Sequence, residues 1–302
     1  MSNSWDPTYI IDEDTVKLIC KEQFPDIHIT EIECIGEGFD NTVFKINKDL
    51  LMRFPRRDIA VPLIELEKKL LPQIERHIKI KTTIPTLFGK PSTHFPWPFL
   101  GYNFIYGKSP TCLSVEDRKN MVEPLALFIR NLHEIDIEAL KPLNLPYDEI
   151  RRLDLEYRIP QLKKHIEKAN ELNLLPEKKM IQKYVDELEV IQSDTKLVLV
   201  HGDLHFKNIL VDDQNRLTGI IDWGDTHIGQ RELDLSIAYS ILLKEERERF
   251  FKLYGTVNKT SKRLAKFKSI YTTILLLLFA NDKNQNELVR FCQDNIKNAL
   301  ID

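Results

Sequence analysis

Apolar and polar residues recur along this chain in several distinct rhythms, and each rhythm predicts a different kind of element. From Asp14 to Phe24, Val16, Ile19, Cys20 and Phe24 fall at helical spacing, and Pro25 ends the helix. Ile27–Ile35, Thr42–Ile46 and Leu50–Phe54 are rich in strand formers, with Asn47-Lys48-Asp49 as a tight turn between the last two. Ile59–Ile80 then reads as a helix that carries Glu65 and Glu67. A Pro-aromatic turn from His94 to Phe99 leads into one more strand over Gly101–Gly107, and a boundary falls there.

Beyond Glu116 the spacing is mostly helical. Val122, Leu125, Ala126, Phe128, Ile129 and Leu132 form one core face, and residues 150–192 hold two charged amphipathic segments separated by Leu174-Leu175-Pro176. Lys196–Val200, Ile209–Val211 and Leu217–Ile221 are short apolar runs that read as strands, the last two around the polar turn Asp212–Asn215. Leu235–Leu243 reads as an apolar helix and Lys244–Tyr254 as a charged one. The pattern predicts an α+β protein: residues 1–106 build a small antiparallel sheet with helices, and residues 107–302 a larger, mainly helical part.

Composition narrows the partners. A chain of 302 residues with 42% hydrophobic content can bury a large core. Its net charge of −3 is spread without basic clusters, which argues against nucleic acid as a partner. Cys20, Cys34, Cys112 and Cys292 form no Cys-x-x-Cys pair, so neither a zinc ribbon nor a disulfide framework is expected. The start, Met1-Ser-Asn-Ser-Trp-Asp6, lacks the basic segment and apolar core of a signal peptide. The longest apolar run, Ile274–Ala280, is far short of the roughly 20 residues that span a bilayer and reads as a buried helix. These features predict a cytoplasmic protein with no membrane contact; oligomeric state is not legible.

The candidate chemistry lies in His201-Gly-Asp203-Leu-His205-Phe-Lys-Asn208, with Asp222 following at the end of an apolar strand. Phosphoryl transfer needs an oriented acceptor oxygen and divalent cations that bridge the nucleotide phosphates, and Asp203, Asn208 and Asp222 can supply both. Upstream, Gly36 and Gly38 in Ile35-Gly-Glu-Gly-Phe-Asp-Asn41-Thr42 can let backbone N–H groups approach a phosphate without a Cβ in the way. Alone, that pair of glycines is no more than a hairpin turn. His201, Asp203 and His205 also resemble a metal triad of a hydrolase, but the further His/Asp cluster such a site recruits is missing.

At this point the chain resembles the aminoglycoside phosphotransferase family, whose signature His-Gly-Asp-Leu-His-x-x-Asn-Ile/Leu-Leu stands at 201–210 and whose Ile-Asp-Trp-Gly-Asp stands at 221–225. The resemblance implies a bilobal, protein-kinase-like fold and a nucleotide- and Mg²⁺-dependent kinase of a small hydroxylated molecule, with ATP or GTP as donor. It makes Asp203 the catalytic base and Asn208 and Asp222 the metal ligands. It places Gly36, Gly38, Asn41 and Thr42 on the nucleotide, Arg53 where the phosphate-binding Lys usually stands, and Glu67 as its partner. It makes Asn103 to Ile105 the hinge against the purine. By the resemblance aminoglycosides are the lead acceptor, with Asp203, Asp225 and Glu232 as substrate-facing acids, and the seven acidic groups against three basic ones in residues 201–240 add support. Two departures keep a macrolide or a metabolic alcohol open: Arg231 stands beside the site, and the helix after Asp234 has no acids. A nucleotide-binding pseudokinase is disfavoured, since all three polar catalytic positions are intact.

Overall fold

The computed structural model describes residues 7–38, 40–114, 116–175 and 177–301. Residues 1–6, Phe39 of the glycine loop and Pro176 between the paired helices lie outside them. The chain divides into two compact units, one running to Tyr106 and including Asp222–Gly224, the other made of Gly107–Ile221 and the residues from Asp225 onward.

In the first unit, α1 (Glu13–Gln23) is capped by Asp12, whose carboxylate accepts the Thr15 N–H. There follow β1 (Ile32–Glu37), β2 (Asn41–Ile46), β3 (Leu50–Pro55), α2 (Ala60–Ile74), the two-residue β4 (Lys81–Thr82), β5 (Pro85–Gly89) and β6 (Phe99–Asn103). Antiparallel pairing puts five of these in the order β1-β2-β3-β6-β5. Because side chains alternate along a strand, the sheet has two faces. Phe44, Ile46, Met52, Phe54 and Phe99 pack with Val16, Ile19 and Cys20 of α1. On the other face, Leu100 and Tyr102 meet Ile64 of α2. Arg53 stands in register between Val43 and Leu100, so it shares this second face.

Three elements of this unit differ from their sequence expectation, and the first is the strand expected over Gly101–Gly107, which runs from Phe99 to Asn103. The strand expected from Ile27 begins only at Ile32, because Asn47, in a left-handed turn at φ 53°, satisfies the preceding backbone with its own side chain. Its Oδ1 accepts from Thr30 and Glu31 N–H, and its amide donates to the His28 carbonyl, so that stretch has no need of a strand partner. The helix expected to reach Ile80 ends at Ile74 and tightens into a 3₁₀ turn over Glu75–His77.

The second unit contains α3 (Val122–His133), α4 (Leu155–Glu171), α5 (Lys178–Asp186), β7 (Val198–Val200), β8 (Ile209–Val211), β9 (Leu217–Ile220), β10 (His227–Gly229), α6 (Glu232–Leu235), α7 (Ile237–Ile241), α8 (Lys244–Tyr254), α9 (Lys259–Asp282) and α10 (Asn286–Leu300). β7 pairs with β10 and β8 with β9, both antiparallel. The single helix expected over 235–243 is broken at Ser236, whose hydroxyl donates to the Leu233 carbonyl at 2.6 Å and competes with the helical ladder. By length and composition α9 could cross a bilayer, but 56% of its apolar window is buried inside the protein, where it packs on α4, α6, α7 and α10.

Candidate active site

The loop after β7 is tied down by one buried carboxylate. Asp234 Oδ2 accepts the His201 N–H at 2.8 Å and Oδ1 accepts the Gly202 N–H at 3.0 Å. His133 Nε2 lies 3.1 Å from the same carboxylate, and its Nδ1 lies 2.9 Å from the Tyr254 hydroxyl. Burial alone would raise the Asp234 carboxyl, but His133 and the His201 backbone outweigh it and hold the group below the ordinary range. Gly202 is required by geometry: its φ is +83°, and a Cβ there would stand 2.3 Å from the Asp225 carbonyl.

Beyond this anchor the loop presents Asp203. Asn208 Nδ2 donates to the Asp203 carbonyl at 2.9 Å and also approaches its Oδ2 at 3.4 Å. His205 Nδ1 accepts the Lys207 N–H, so in the neutral ring Nε2 carries the proton, and it faces Asp203 Oδ2 at 3.3 Å. Burial would raise the Asp203 carboxyl, yet His205, Lys268 and His201 together hold it well below the usual carboxylate range. It is therefore an anion at neutral pH, able to accept a hydrogen bond from a hydroxyl and orient its oxygen. His201 turns its Nε2 to another partner: it lies 3.1 Å from the Ile221 carbonyl, and the ring is fully buried. The two histidines thus serve different partners, which leaves the metal-triad reading without support.

The first unit carries a second charged cluster. Arg53 Nη2 pairs with Glu67 Oε2 at 2.7 Å, and the Tyr102 hydroxyl donates to Glu67 Oε1 at 2.9 Å. Arg53 is 7% exposed and Glu67 1%, so the pair is held in a low-dielectric environment. Burial works against the Arg53 cation, but Glu67, Tyr102 and Asp222 more than restore it. Asp222 Oδ1 lies 3.9 Å from Arg53 Nη1, on a backbone in the left-handed region at φ 65°. A non-glycine residue at positive φ is sparsely populated, and such strain concentrates at functional positions.

At the glycine loop, Gly38 N–H bonds to the Asn41 carbonyl at 2.9 Å and closes the hairpin. A Cβ on Gly36 would meet nothing within 4 Å. Gly36 stands at a register shift of the β1–β2 pair, and the open space over its backbone suits a phosphate. Thr42 is buried, and the buried Asn41 Oδ1 has no hydrogen-bond partner. Asn103 ends β6 opposite Leu50, and among the described residues the Ile105 backbone makes no hydrogen bond, so its N–H and C=O are open to a ligand.

Two of the expected substrate-facing acids are otherwise engaged. Glu232 is fully buried and accepts hydrogen bonds from Ser261 at 2.6 Å, Ser193 at 3.1 Å and Thr195 at 3.3 Å. Its carboxylate holds α6, α9 and the segment before β7 together and presents nothing to a substrate. Asp225 is half-exposed but paired with Arg152, which also binds Asp148 at 2.7 Å.

The profile of the phosphotransferase enzyme family (APH) matches residues 31–266. The chain belongs to this family. Among curated relatives, the aminoglycoside 3'-phosphotransferase of Streptomyces ribosidificus is 27% identical over 161 residues, which is 50% of this chain and 59% of the relative. An Escherichia coli aminoglycoside 3'-phosphotransferase is 29% identical over 153 residues, 48% of this chain and 53% of the relative. The chain thus spans between half and three-fifths of the length of these relatives. Among solved structures, the GDP complex of aminoglycoside 2'-phosphotransferase-IIIa superposes with a TM-score of 0.70 at 22% identity, covering 96% of this chain and 99% of the other. These likenesses establish the kinase-like α+β fold of the family.

Taken one at a time, the two residues expected to hold a metal each keep an oxygen donor. With its amide nitrogen committed to Asp203, Asn208 has Oδ1 left without a partner among the described residues, and the Asp222 carboxylate is 58% exposed. Amide and carboxylate oxygens are the ligands a hard cation such as Mg²⁺ takes, with water and phosphate completing its shell. Three further residues escaped sequence reasoning: Tyr102, Arg152 and Lys268. Only Lys268 left a trace, a charge at helical spacing between the buried Leu264, Ala265 and Tyr271.

Proposed function

We propose that this protein is a nucleotide- and Mg²⁺-dependent O-phosphotransferase acting on a hydroxyl of a small molecule. The observation that carries this reading is the Asp203 loop: an anionic carboxylate oriented by His205 and Asn208 on a backbone clamped by Asp234. In this reading the acceptor hydroxyl donates to Asp203, which fixes the oxygen for in-line attack and takes its proton as the bond forms. A strongly anionic carboxylate suits a loose transition state, in which orientation matters more than early proton removal. Gly36, Gly38, Asn41 and Thr42 approach the phosphates of ATP or GTP through the hairpin backbone, Arg53 supplies a cation held by Glu67, and Asn103 to Ile105 take the purine edge. Asn208 and Asp222 would hold Mg²⁺, which would supply charge neutralisation to the phosphates.

The acceptor reading is shaped by charge. The names of the relatives point to aminoglycosides, and that of a macrolide 2'-phosphotransferase of like fold (TM-score 0.56, 16% identity, 96% of this chain and 98% of the other) to macrolides. An aminoglycoside needs free carboxylates for its ammonium groups. Of the acids expected to receive them besides Asp203, Glu232 is buried and Asp225 is paired, which favours an acceptor that is not a polycation. The deciding measurement is nucleoside diphosphate release with Mg²⁺ over a panel of aminoglycosides, macrolides and metabolic alcohols. Asp203-dependent release with one class identifies the acceptor. Tight nucleotide binding without transfer to any of them supports the pseudokinase reading instead.

A further inference from the structure

A small recess of about 10 Å³ opens beside Asp203, lined by Leu204 and His205 of the loop, Ser236 and Ser240 of α6–α7, and Lys268, Ser269, Thr272 and Thr273 of α9. A space of this size holds one water or one oxygen of a larger group. Its wall is rich in donors that have nothing to bond. Ser269 Oγ and Thr272 Oγ1 are buried without a hydrogen-bond partner, whereas Ser236, Ser240 and Thr273 each donate to a carbonyl of their own helix.

Asp203 itself lines the recess, and Lys268 is the cation of its wall. It makes no ion pair among the described residues, and the two carboxylates nearest in charge are already served, Asp203 by His205 and Asp225 by Arg152. Arg152 and Arg158 add like charge around it, while Lys207 is drawn away over the Phe279 ring at 4.9 Å. Desolvation lowers the Lys268 amine from its ordinary value, and the attraction of Asp203 only partly offsets it. Two buried hydroxyls without a partner are costly, and a group that brings an acceptor oxygen to them beside a partly buried ammonium relieves that cost.

We infer that Lys268, Ser269 and Thr272 form an acceptor subsite for a carboxylate, so that the molecule phosphorylated at Asp203 is a hydroxy acid rather than a polyamine. One carboxylate oxygen enters the recess and accepts from the ammonium and the two hydroxyls, while the acceptor hydroxyl stays with Asp203. A substrate ammonium would meet Lys268, Arg152 and Arg158 instead. This inference rests on the phosphotransferase reading for its substrate, but the subsite itself can be measured without turnover.

Two arms test it. In the first, the nitrogen resonance of Lys268 is followed by NMR as acetate, acetamide or ethanolamine is added to the full chain. Acetate should give a saturable shift that the other two lack and that weakens about 3- to 10-fold in Ser269→Ala or Thr272→Val, the range for one hydrogen bond. No saturable shift with acetate, or a larger one with ethanolamine, overturns the subsite. In the second, transfer is measured with hydroxy acids, their amides and the matching amino alcohols. Lys268→Met should raise the KM of hydroxy acids about 10- to 100-fold and leave the KM of amides within about twofold, as for loss of a charged hydrogen bond. An equal fall in kcat for every acceptor would make Lys268 a positioning residue for Asp203 and sink the specificity role. Preferred transfer to amino alcohols or aminoglycosides would sink the hydroxy-acid claim and leave the phosphotransferase reading standing. A saturable acetate shift with no transfer to any acceptor would do the reverse.

Discussion

The two units bury charge in opposite ways. In the first, Arg53, Glu67 and Tyr102 form a closed set in which each ionised group has a partner supplied by the sheet or by α2. In the second, Asp203, Lys268, Ser269 and Thr272 line a recess in which two buried hydroxyls have no hydrogen-bond partner and Lys268, though drawn to Asp203, makes no ion pair among the described residues. Desolvation weighs on both clusters, so the difference lies in what offsets it. A closed set can be fully paid for within the fold and acts as a rigid platform. An open set is stable only because the surrounding helices hold it, and it gains most from a ligand.

This contrast can be broken at several points. The largest expected effect is at Asp203, where Asn keeps the shape but removes the anion: turnover should fall about 10²–10⁴-fold while nucleotide affinity stays near normal. Near-normal turnover in Asp203→Asn, measured as diphosphate release, would remove the residue from the chemistry. Glu67→Ala opens the closed set and strands a buried guanidinium, which should destabilise the protein by about 3–5 kcal/mol in denaturant titration. Glu67→Gln, which keeps a hydrogen-bond acceptor for Tyr102, should cost less, and equal losses in both variants would argue that packing rather than charge holds Arg53. Asp222→Ala should weaken nucleotide binding in the presence of Mg²⁺ and much less in its absence. If the two conditions change alike, Asp222 is not a metal ligand.

Smaller effects sharpen the comparison. Asp234 has a folded-state value below the usual 3.8, so the unfolded chain binds its proton first and stability rises with pH through that interval. Its contribution is complete above the usual value and is lost as acid titrates the folded group. Asp234→Asn should therefore flatten the acid limb of a stability-against-pH curve, and an unchanged limb would show that other carboxylates control it. Smallest of all, Asp225→Asn gives up a partly exposed pair with Arg152, which is worth about 0–1 kcal/mol. Little change in the KM of an aminoglycoside would fit that pairing; a rise well beyond about fivefold would return Asp225 to the acceptor site.

Much of this was legible in the chain itself, for reasons that differ by residue. The α+β class and most element positions follow from periodicity, which is a local property of the backbone. Where local reading failed, a side chain had intervened: Asn47 satisfied the backbone of 28–31, and Ser236 broke a helix that looked continuous. The glycine loop and the run from His201 to Asp222 were visible because the chemistry expected of them needs fixed spacing within one loop or hairpin, and such spacing is written in consecutive residues.

The charge state of the acceptor region had no such record. Counting acids from 201 to 240 suggested a surface for polycations, yet a count carries no information about partners. Glu232 is satisfied by Ser193 and Ser261, and Asp225 by Arg152, all brought in by long-range packing. Lys268 is 65 residues from Asp203 in sequence and meets it only because α9 packs against α6 and α7. The sequence by itself determined the family, the fold class and the groups that could handle a phosphate. Only the tertiary structure decided which of those charges are spent on one another and which remain for a ligand, because pairing depends on distance in space, and distance along the chain does not encode it.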